Sequence, residues 1–521
     1  MTHAGSPTSH TGRVVGIDLG TTLSGVAQVN EHGEPIILPN AEGDLRTPSV
    51  VYFGEDTVLV GRDAVREAMA SPERAVFSIK RSMGDADYRF TVDGESYSPE
   101  SISSLILRKV TQDAAQHVGP VGRAVITVPA YFDDPRRKAT EDAGVIAGLE
   151  VLDIINEPTA AALAYGFSAK GADGVFLVYD LGGGTFDVTV IEKSGNDLIT
   201  LATDGDIRLG GQDWDERLVN YVIEQFRREF REDPREDRTV MAYLALTAEE
   251  AKKALSRRQA TRVPVSYMGH WGNYEVTRER FESLTADLLA MTRLTTELVL
   301  DEAGVTWASI KQLVPTGGST RMPMVLRMLE ELSGRPVETP VPVDDAVAMG
   351  AAIHAAVLEF HGEERLVEYS AETAEKLGRI TTTDVAAHAL GLVIKDHVTL
   401  QYRNDVIIRK NSRLPASVTK TYQTAHEGQE TIVLQVIQGD APDPGACITL
   451  GEFKVAGLPA GRPAGAPVKV TFSYDTKGRV HVTALDVQTQ QTTTTEIHRA
   501  GSMDAAHVSE EAKRLGLKSV E

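Results

Sequence analysis

The stretch DLGGGTFD, residues 180–187, sets three consecutive glycines between two carboxylates and follows them with a threonine. VFLVY leads into it and VTVI leads out, so the glycines occupy a bend between two strands. Glycine there gives up side-chain packing and adds backbone entropy, so three in a row answer a demand other than folding. An echo lies upstream. VVGIDLGTTLSGVAQV (14–29) and VFLVYDLGGGTFDVTVI (175–191) share an apolar strand, Asp-Leu-Gly, small polar residues and a second strand. One such bend alone reads as a tight β-turn; two matching bends imply two similar lobes, each presenting a glycine hairpin to a common cleft. Backbone N–H groups without a neighbouring Cβ make a positive nest for an anion, and Thr21, Thr22 and Thr185 add hydroxyl donors. Asp18, Asp180 and Asp187 would repel a bare phosphate, so they imply bridging cations, most simply hydrated Mg²⁺.

Around these hairpins the first 360 residues or so alternate strand-like runs (VVGI, AVITVPAYF, VFLVY, QLVP) with helical spacing in DERLVNYVIEQFRREF and RFESLTADLLAMTRLTTELVLDEAG. Such alternation predicts α/β layers. Past residue 385 the texture changes to short alternating strands. In PVKVTFSY, Val468, Val470, Phe472 and Tyr474 share one face, DTKG turns the chain, and Val480 and Val482 return. The reading is a polar tail (1–12), an α/β body (13–366), a charged, Thr-rich linker (367–384), an antiparallel β domain (385–499) and a short C-terminal helix (500–521). The net charge of −21 argues against a nucleic-acid surface, and the single cysteine, Cys447, fits a reducing compartment. The N-terminus lacks an apolar core of the signal-peptide kind, and the apolar run 346–360 is too short for a bilayer and carries His354 and Glu359. A soluble, cytoplasmic protein is expected, with neither nucleic acid nor membrane as partner. The histidines lack metal-ligand spacing.

Two further segments suggest a nucleoside. VPTGGSTRMPMVLRMLEEL (314–332) passes from strand through Gly317-Gly318 into a helix, with Arg321 able to stack on a flat base. In TAEEAKKALS, Glu249, Lys252 and Ser256 share one helix face, which an ion-paired surface would also explain.

Together with FSIKRSMG (77–84), AVITVPAYFDDPRRKATEDAG (124–144), INEPTAAALAYG (155–166), ATDGDIRLGGQDWD (202–215) and DDAVAMGAA (344–352), these motifs follow one another in a known order. The chain resembles the DnaK-type heat-shock chaperones of the actin-like ATPase superfamily. The resemblance implies a two-lobed α/β ATPase of duplicated ribonuclease-H-like domains, followed by an antiparallel β-sandwich that binds apolar segments of unfolded polypeptides. It implies ATP/ADP, Mg²⁺ and K⁺ as cofactors, slow hydrolysis of ATP that gates peptide affinity, and a J-domain co-chaperone and a nucleotide-exchange factor as partners. Gly20, Thr21 and Thr22 would face Gly182, Gly183, Gly184 and Thr185 across the phosphates. Asp18, Asp180 and Asp187 would organise cations, and Lys80 and Glu157, with Asp180, Asp187 and Thr185, would manage the attacking water. Gly211, Glu249, Lys252, Lys253, Ser256, Gly318, Ser319, Arg321 and Asp344 would line the adenosine. Pro129, Arg137 and Glu157 would form a switch between domains, and Leu390, Leu392, Tyr422, Ala425, Ile432 and Leu434 a peptide groove.

The chain departs from that pattern in four places. The linker, normally a leucine-rich strand ending in aspartate, reads Ile380-Thr381-Thr382-Thr383-Asp384, which predicts weakened docking or an exposed spacer. The C-terminal helix predicts a truncated lid that cannot cover the groove. KDHVTLQYRND (395–405) is long and polar, with Lys395 near a position that is usually apolar. Pro315 falls within the strand before Gly317 and predicts an irregular strand. Two other functions compete with a general chaperone: an ATP-gated regulator devoted to one protein partner, and a metabolite kinase of the same superfamily, which the appended β domain disfavours.

Overall fold

The computed structural model describes residues 12–167, 173–337, 342–362, 367, 369–395, 401–424, 426–456, 461, 463–487, 492–495 and 503–521. Two sheets carry the two glycine hairpins. In the first, β1 (Arg13–Asp18) pairs antiparallel with β2 (Leu23–Val29) and parallel with β3 (Val121–Val128), which pairs parallel with β4 (Glu150–Asn156). Pro35–Leu38 and Thr47–Pro48 both pair with β2. In the second, β5 (Gly174–Leu181), β6 (Phe186–Ser194) and β7 (Asp197–Asp206) form an antiparallel meander. On its edges lie β8 (Ile310–Thr316) beside β5 and β9 (Thr381–Thr383) beside β7, both parallel.

Two alanine-rich helices, α1 (Glu157–Phe167) and α2 (Ala346–His361), fill the space between the sheets. Small residues bring them close. A Cβ on Gly350 would overlap the Ala160 carbonyl, and one on Gly16 would overlap the Ala352 backbone, so α2 lies directly against α1 and β1. Each lobe adds its own core, one around Trp214, Phe226 and Leu329 and the other around Tyr97, Ile102 and Leu105.

Pro315 does not disturb its strand. It pairs with Tyr179 in an unbroken register, and the irregularity of that ladder falls between Val175 and Phe176. The reason is position: β8 is an edge strand, where a missing N–H deprives no neighbour. The linker does not behave as an exposed spacer. Thr381, Thr382 and Thr383 extend the second sheet opposite Asp197, Leu198 and Ile199, and the Thr381 hydroxyl donates to Asp197 at 2.5 Å. Backbone pairing and hydroxyl bonds hold this strand in place of the leucine burial of the family pattern. Before it, Ala371–Leu377 is helical and buries Leu377.

Two four-stranded antiparallel sheets follow, ordered Tyr402–Ile408, Leu390–Lys395, Thr431–Gln438, Ile448–Ala456 and Ala416–Gln423, Pro467–Tyr474, Val480–Asp486, Thr492–Thr495. They sandwich a shared core that includes Val468, Val470, Phe472, Tyr474, Val480 and Val482. Among the described residues no helix is long and apolar enough to cross a membrane.

The C-terminal helix α3 (Ala505–Gly516), expected as a truncated lid beyond the sandwich, packs instead on the first lobe. Val508 and Leu515 are buried in that lobe's core, because an amphipathic helix follows its apolar stripe to the nearest apolar surface. Ser101 donates to Glu511, and Arg108 donates to the Leu515 and Lys518 carbonyls. Ser519–Val520 then pairs parallel with Thr57–Val60. Leu515→Ala is expected to destabilise the first lobe by about 2–5 kcal/mol, as large-to-small changes in a packed core do. A lower first transition in calorimetry would show this; an unchanged thermogram would place the helix elsewhere.

Candidate nucleotide cleft

The two hairpins meet. A Cβ on Gly183 would overlap the Thr22 side chain and one on Gly184 that of Thr21, so residues lacking Cβ are required where the jaws touch. Behind them the Gly211 N–H donates to the Gly182 carbonyl at 3.0 Å and the Gln212 N–H to the Gly183 carbonyl at 2.9 Å, which fixes the second hairpin to a helix N-terminus. The Ser319 hydroxyl donates to the Gly182 carbonyl at 2.9 Å from the other side.

Acid groups crowd the floor. Asp180 and Asp187 face each other across the β5–β6 ladder, Asp18 ends β1, and Glu157 opens α1. Asp180, Asp187 and Glu157 are buried, and the Lys80 ammonium, also buried, ion-pairs with Glu157. Burial pushes the Asp187 carboxyl up to about 8, with Glu157 adding to it and the Tyr131 N–H, donating at 3.0 Å, opposing it. Asp180 is raised well above its ordinary value by burial first and then by Glu157, Asp187 and Asp18. Burial also raises Glu157 against the pull of Lys80, and raises Asp18 against Arg46 and Lys80. Too many acids share too few cations, so added positive charge is what this floor accommodates. Among the described residues no three His, Cys, Asp or Glu side chains are placed to hold a metal directly. Such a donor set fits an Mg²⁺ that keeps most of its water and is held through phosphate oxygens.

The residues expected around adenosine split into two groups. Lys252 donates to Asp215 at 2.6 Å and to the Gly211 carbonyl at 2.8 Å, while burial raises Asp215 to about 6 against that lysine. Arg321 pairs with Asp344 at 2.6 Å beside Gly318, and Ser256 closes the Lys252 helix through the Lys252 carbonyl. Lys253 is more exposed and pairs with Glu249 and Glu250 on its own helix.

From this floor, contacts lead to the sandwich. Asp187 accepts from the Tyr131 N–H, and the Tyr131 carbonyl accepts from His388 Nε2 at 2.9 Å, with their rings 4.3 Å apart. Burial lowers the His388 imidazole, so it acts as a neutral donor. Arg137 donates to the Ala130 and Phe132 carbonyls and, at 2.6 Å, to Asn156, the residue before Glu157. Pro129 accepts the Phe132 N–H in the same turn. Asp384 accepts from Thr159 of α1 at 2.7 Å and from Thr200 of β7 at 2.8 Å. Lys410 pairs with Asp204 and Glu302, and Arg479 with Asp134 and Glu141. Tyr131, His388, Asn156, Thr159 and Thr200 were not singled out from sequence: only the tertiary fold brings them together, although Tyr131, Asn156 and Thr159 lie inside matched motifs.

The expected groove residues lie in the sandwich. Leu390, Leu392 and Ile432 are buried in its core, Tyr422 and Leu434 are half-buried against it, and Ala425 lies outside the described residues, as does the Lys395 side chain.

The family model described as Hsp70 protein matches residues 14–515. The chain is 42% identical over 515 residues to a chaperone protein DnaK of Thermotoga neapolitana, a match covering 96% of this chain and 83% of that one. A DnaK of Thermotoga maritima is 41% identical with the same coverage, and one of Thermosipho melanesiensis 40% identical over 513 residues with the same shares. With hairpins, cleft and sandwich all inside the matched span, the chain belongs to the Hsp70 family.

Proposed function

We propose that ATP sits between the two hairpins and that its hydrolysis is reported to the β-sandwich through Tyr131, His388 and Asp384. The protein is an ATP-dependent chaperone and an ATP hydrolase. The observation that carries the site reading is the meeting of two Cβ-free turns above a surplus of buried carboxylates. Gly20, Thr21, Thr22, Gly182, Gly183, Gly184 and Thr185 hold the phosphates through N–H and hydroxyl donors. Asp18, Asp180 and Asp187 would hold a hydrated Mg²⁺, which would supply positive charge to offset that on the phosphoryl group. Lys80, fixed by Glu157, adds a cation near the γ-phosphate, and Asp187, with one oxygen tied to Tyr131, orients the attacking water with the other. Gly211, Lys252, Ser256, Gly318, Ser319, Arg321 and Asp344 line the adenosine, with Glu249 and Lys253 at its outer edge. The two lobes are a duplicated ribonuclease-H-like pair. Unfolded chains are the clients, bound through Leu390, Leu392, Tyr422, Ala425, Ile432 and Leu434 as apolar segments; J-domain and exchange-factor partners act in the cytoplasm.

Hydrolysis is positional. Phosphoryl transfer needs an aligned water and neutralised charge more than a strong base, which a fixed lysine, a cation and N–H donors supply. A change of charge at Asp187 acts directly on the Tyr131 peptide, and Arg137 with Asn156 does the same for Glu157.

Lys80→Met is expected to lower single-turnover ATP hydrolysis by about 10²–10³-fold, the usual cost of removing one electrostatic stabiliser. Hydrolysis within threefold of the parent would remove Lys80 from the reaction. For the second half of the proposal, Asp384→Ala is expected to leave ATP turnover intact while abolishing ATP-triggered release of a fluorescent apolar peptide in stopped flow. Full ATP-triggered release from that variant would show that the signal travels elsewhere.

A further inference from the structure

The second hairpin is also held by a side chain from the opposite lobe. The 3₁₀ turn Ile79–Ser82 belongs to the first lobe, where Ile79 and the following Met83 are buried in the core around Tyr97, Ile102 and Leu105. Lys80 leaves that turn to pair with Glu157. Its neighbour Arg81 crosses to the second lobe. Arg81 Nε donates to the Gly184 carbonyl at 2.9 Å, and Nη2 donates to Asp213 at 2.5 Å. Asp213 stands beside Trp214, which is buried in the second lobe's core. Each end of the contact therefore lies within two residues of a buried anchor in its own lobe.

The contact closes a ring. Asp213 Oδ2, the oxygen that takes Arg81, also accepts the Gly210 N–H at 2.7 Å, and a Cβ on Gly210 would overlap the Gly184 backbone. A planar guanidinium serves a carbonyl and a carboxylate at once, where a lysine offers a single point charge. A trans peptide sets its N–H opposite its C=O, so gripping the Gly184 carbonyl also fixes the direction of the Thr185 N–H. A second contact crosses beside the first. Gln212 Nε2 donates to the Ser78 hydroxyl, while the Gln212 N–H holds the Gly183 carbonyl. Ser78 precedes the 3₁₀ turn at a φ of 56°, a left-handed conformation that a serine keeps only where its surroundings hold it. The Arg81 and Asp213 side chains are 23% and 22% exposed, close enough to water for the pair to open without unfolding either lobe.

We propose that Arg81 is a positioning residue that fastens the second phosphate hairpin to the first lobe and thereby sets how fast MgADP leaves the cleft. This rests on the ATP reading of the cleft given above. A nucleotide enclosed between the hairpins leaves when the lobes part, and parting has to break the bonds that Arg81 makes to Gly184 and Asp213. Arg81 acts through those two residues and not on the phosphate. Neighbours on one turn thus divide the work: Lys80 serves the chemistry, and Arg81 the residence time of the product.

The test uses the full chain loaded with a fluorescent ADP analogue and Mg²⁺, chased with excess unlabelled ADP in stopped flow. Arg81→Met and Asp213→Asn are each expected to speed release about tenfold, as loss of a charge-assisted hydrogen bond does, with association unchanged within about twofold. Both changes remove one contact, so the double variant is expected to release no faster than the faster single variant. Arg81→Lys keeps the charge and loses the fork, and should fall between the parent and Arg81→Met. A merely structural role would lower the melting temperature of the nucleotide-free protein and leave release alone. Asp213→Asn keeps an oxygen for the Gly210 N–H and gives a second reading if Arg81→Met folds poorly. Release within about twofold of the parent in either single variant overturns the proposal. So does multiplication of the two effects in the double variant, which would put Arg81 on the nucleotide itself. A parent that binds no MgADP overturns the ATP reading as well.

Discussion

Asp18, Glu157, Asp180 and Asp187 converge on one floor with a single buried lysine, Lys80, among them. Like charges brought together out of water are costly, and the free protein meets that cost by holding protons that carboxylates in water would release. Much of the structure follows from this constraint. The glycine hairpins have to meet directly above the acids, so Gly183 and Gly184 lie against Thr22 and Thr21 with no space for a side chain. The helices α1 and α2 have to pack at small-residue distance to hold both sheets in place. A nucleotide with its metal would offset the charge that the floor collects, and binding of that kind stabilises the folded state.

The same constraint explains why the β-sandwich is attached where it is. Asp187 uses one oxygen on the Tyr131 N–H, and the next contact outward is His388, at the entry to the sandwich. Glu157 follows Asn156, which Arg137 grips, and Thr159, two residues on, binds Asp384. The acids of the floor are therefore one or two hydrogen bonds from the groups that hold the second domain. Threonines in β9 keep this strand in place without leucines, since the linker is held by a sheet edge and by Asp384.

Much of this was legible in the sequence because its signals are local. The hairpins announce themselves by glycines between strand runs, the sandwich by alternation in PVKVTFSY, and the helices by their spacing. What was not legible depends on distant segments meeting. Arg46 lies in a loop-like stretch, and only the fold brings it to Asp345, 299 residues away. His388 is a lone histidine with no pattern around it. The C-terminal helix carries a readable apolar stripe, Val508 to Leu515, but the stripe does not say which surface it will cover; it found the first lobe instead of the sandwich. Pro315 misled because its cost depends on whether the strand is an edge, which is a property of the sheet and not of the residue.

The central claim is that the cleft floor stores protons that nucleotide and metal displace, and proton release on binding measures this directly. Calorimetric titration of the nucleotide-free protein with MgADP at pH 7, in buffers of different ionisation enthalpy, gives the number of protons exchanged. With the Asp187 carboxyl raised to about 8, its ionisation on binding is expected to contribute about one released proton per nucleotide at pH 7, a contribution that fades above pH 9. Tight binding with no proton exchange at pH 7 would contradict the account, because the acids would then already be ionised before the cations arrive.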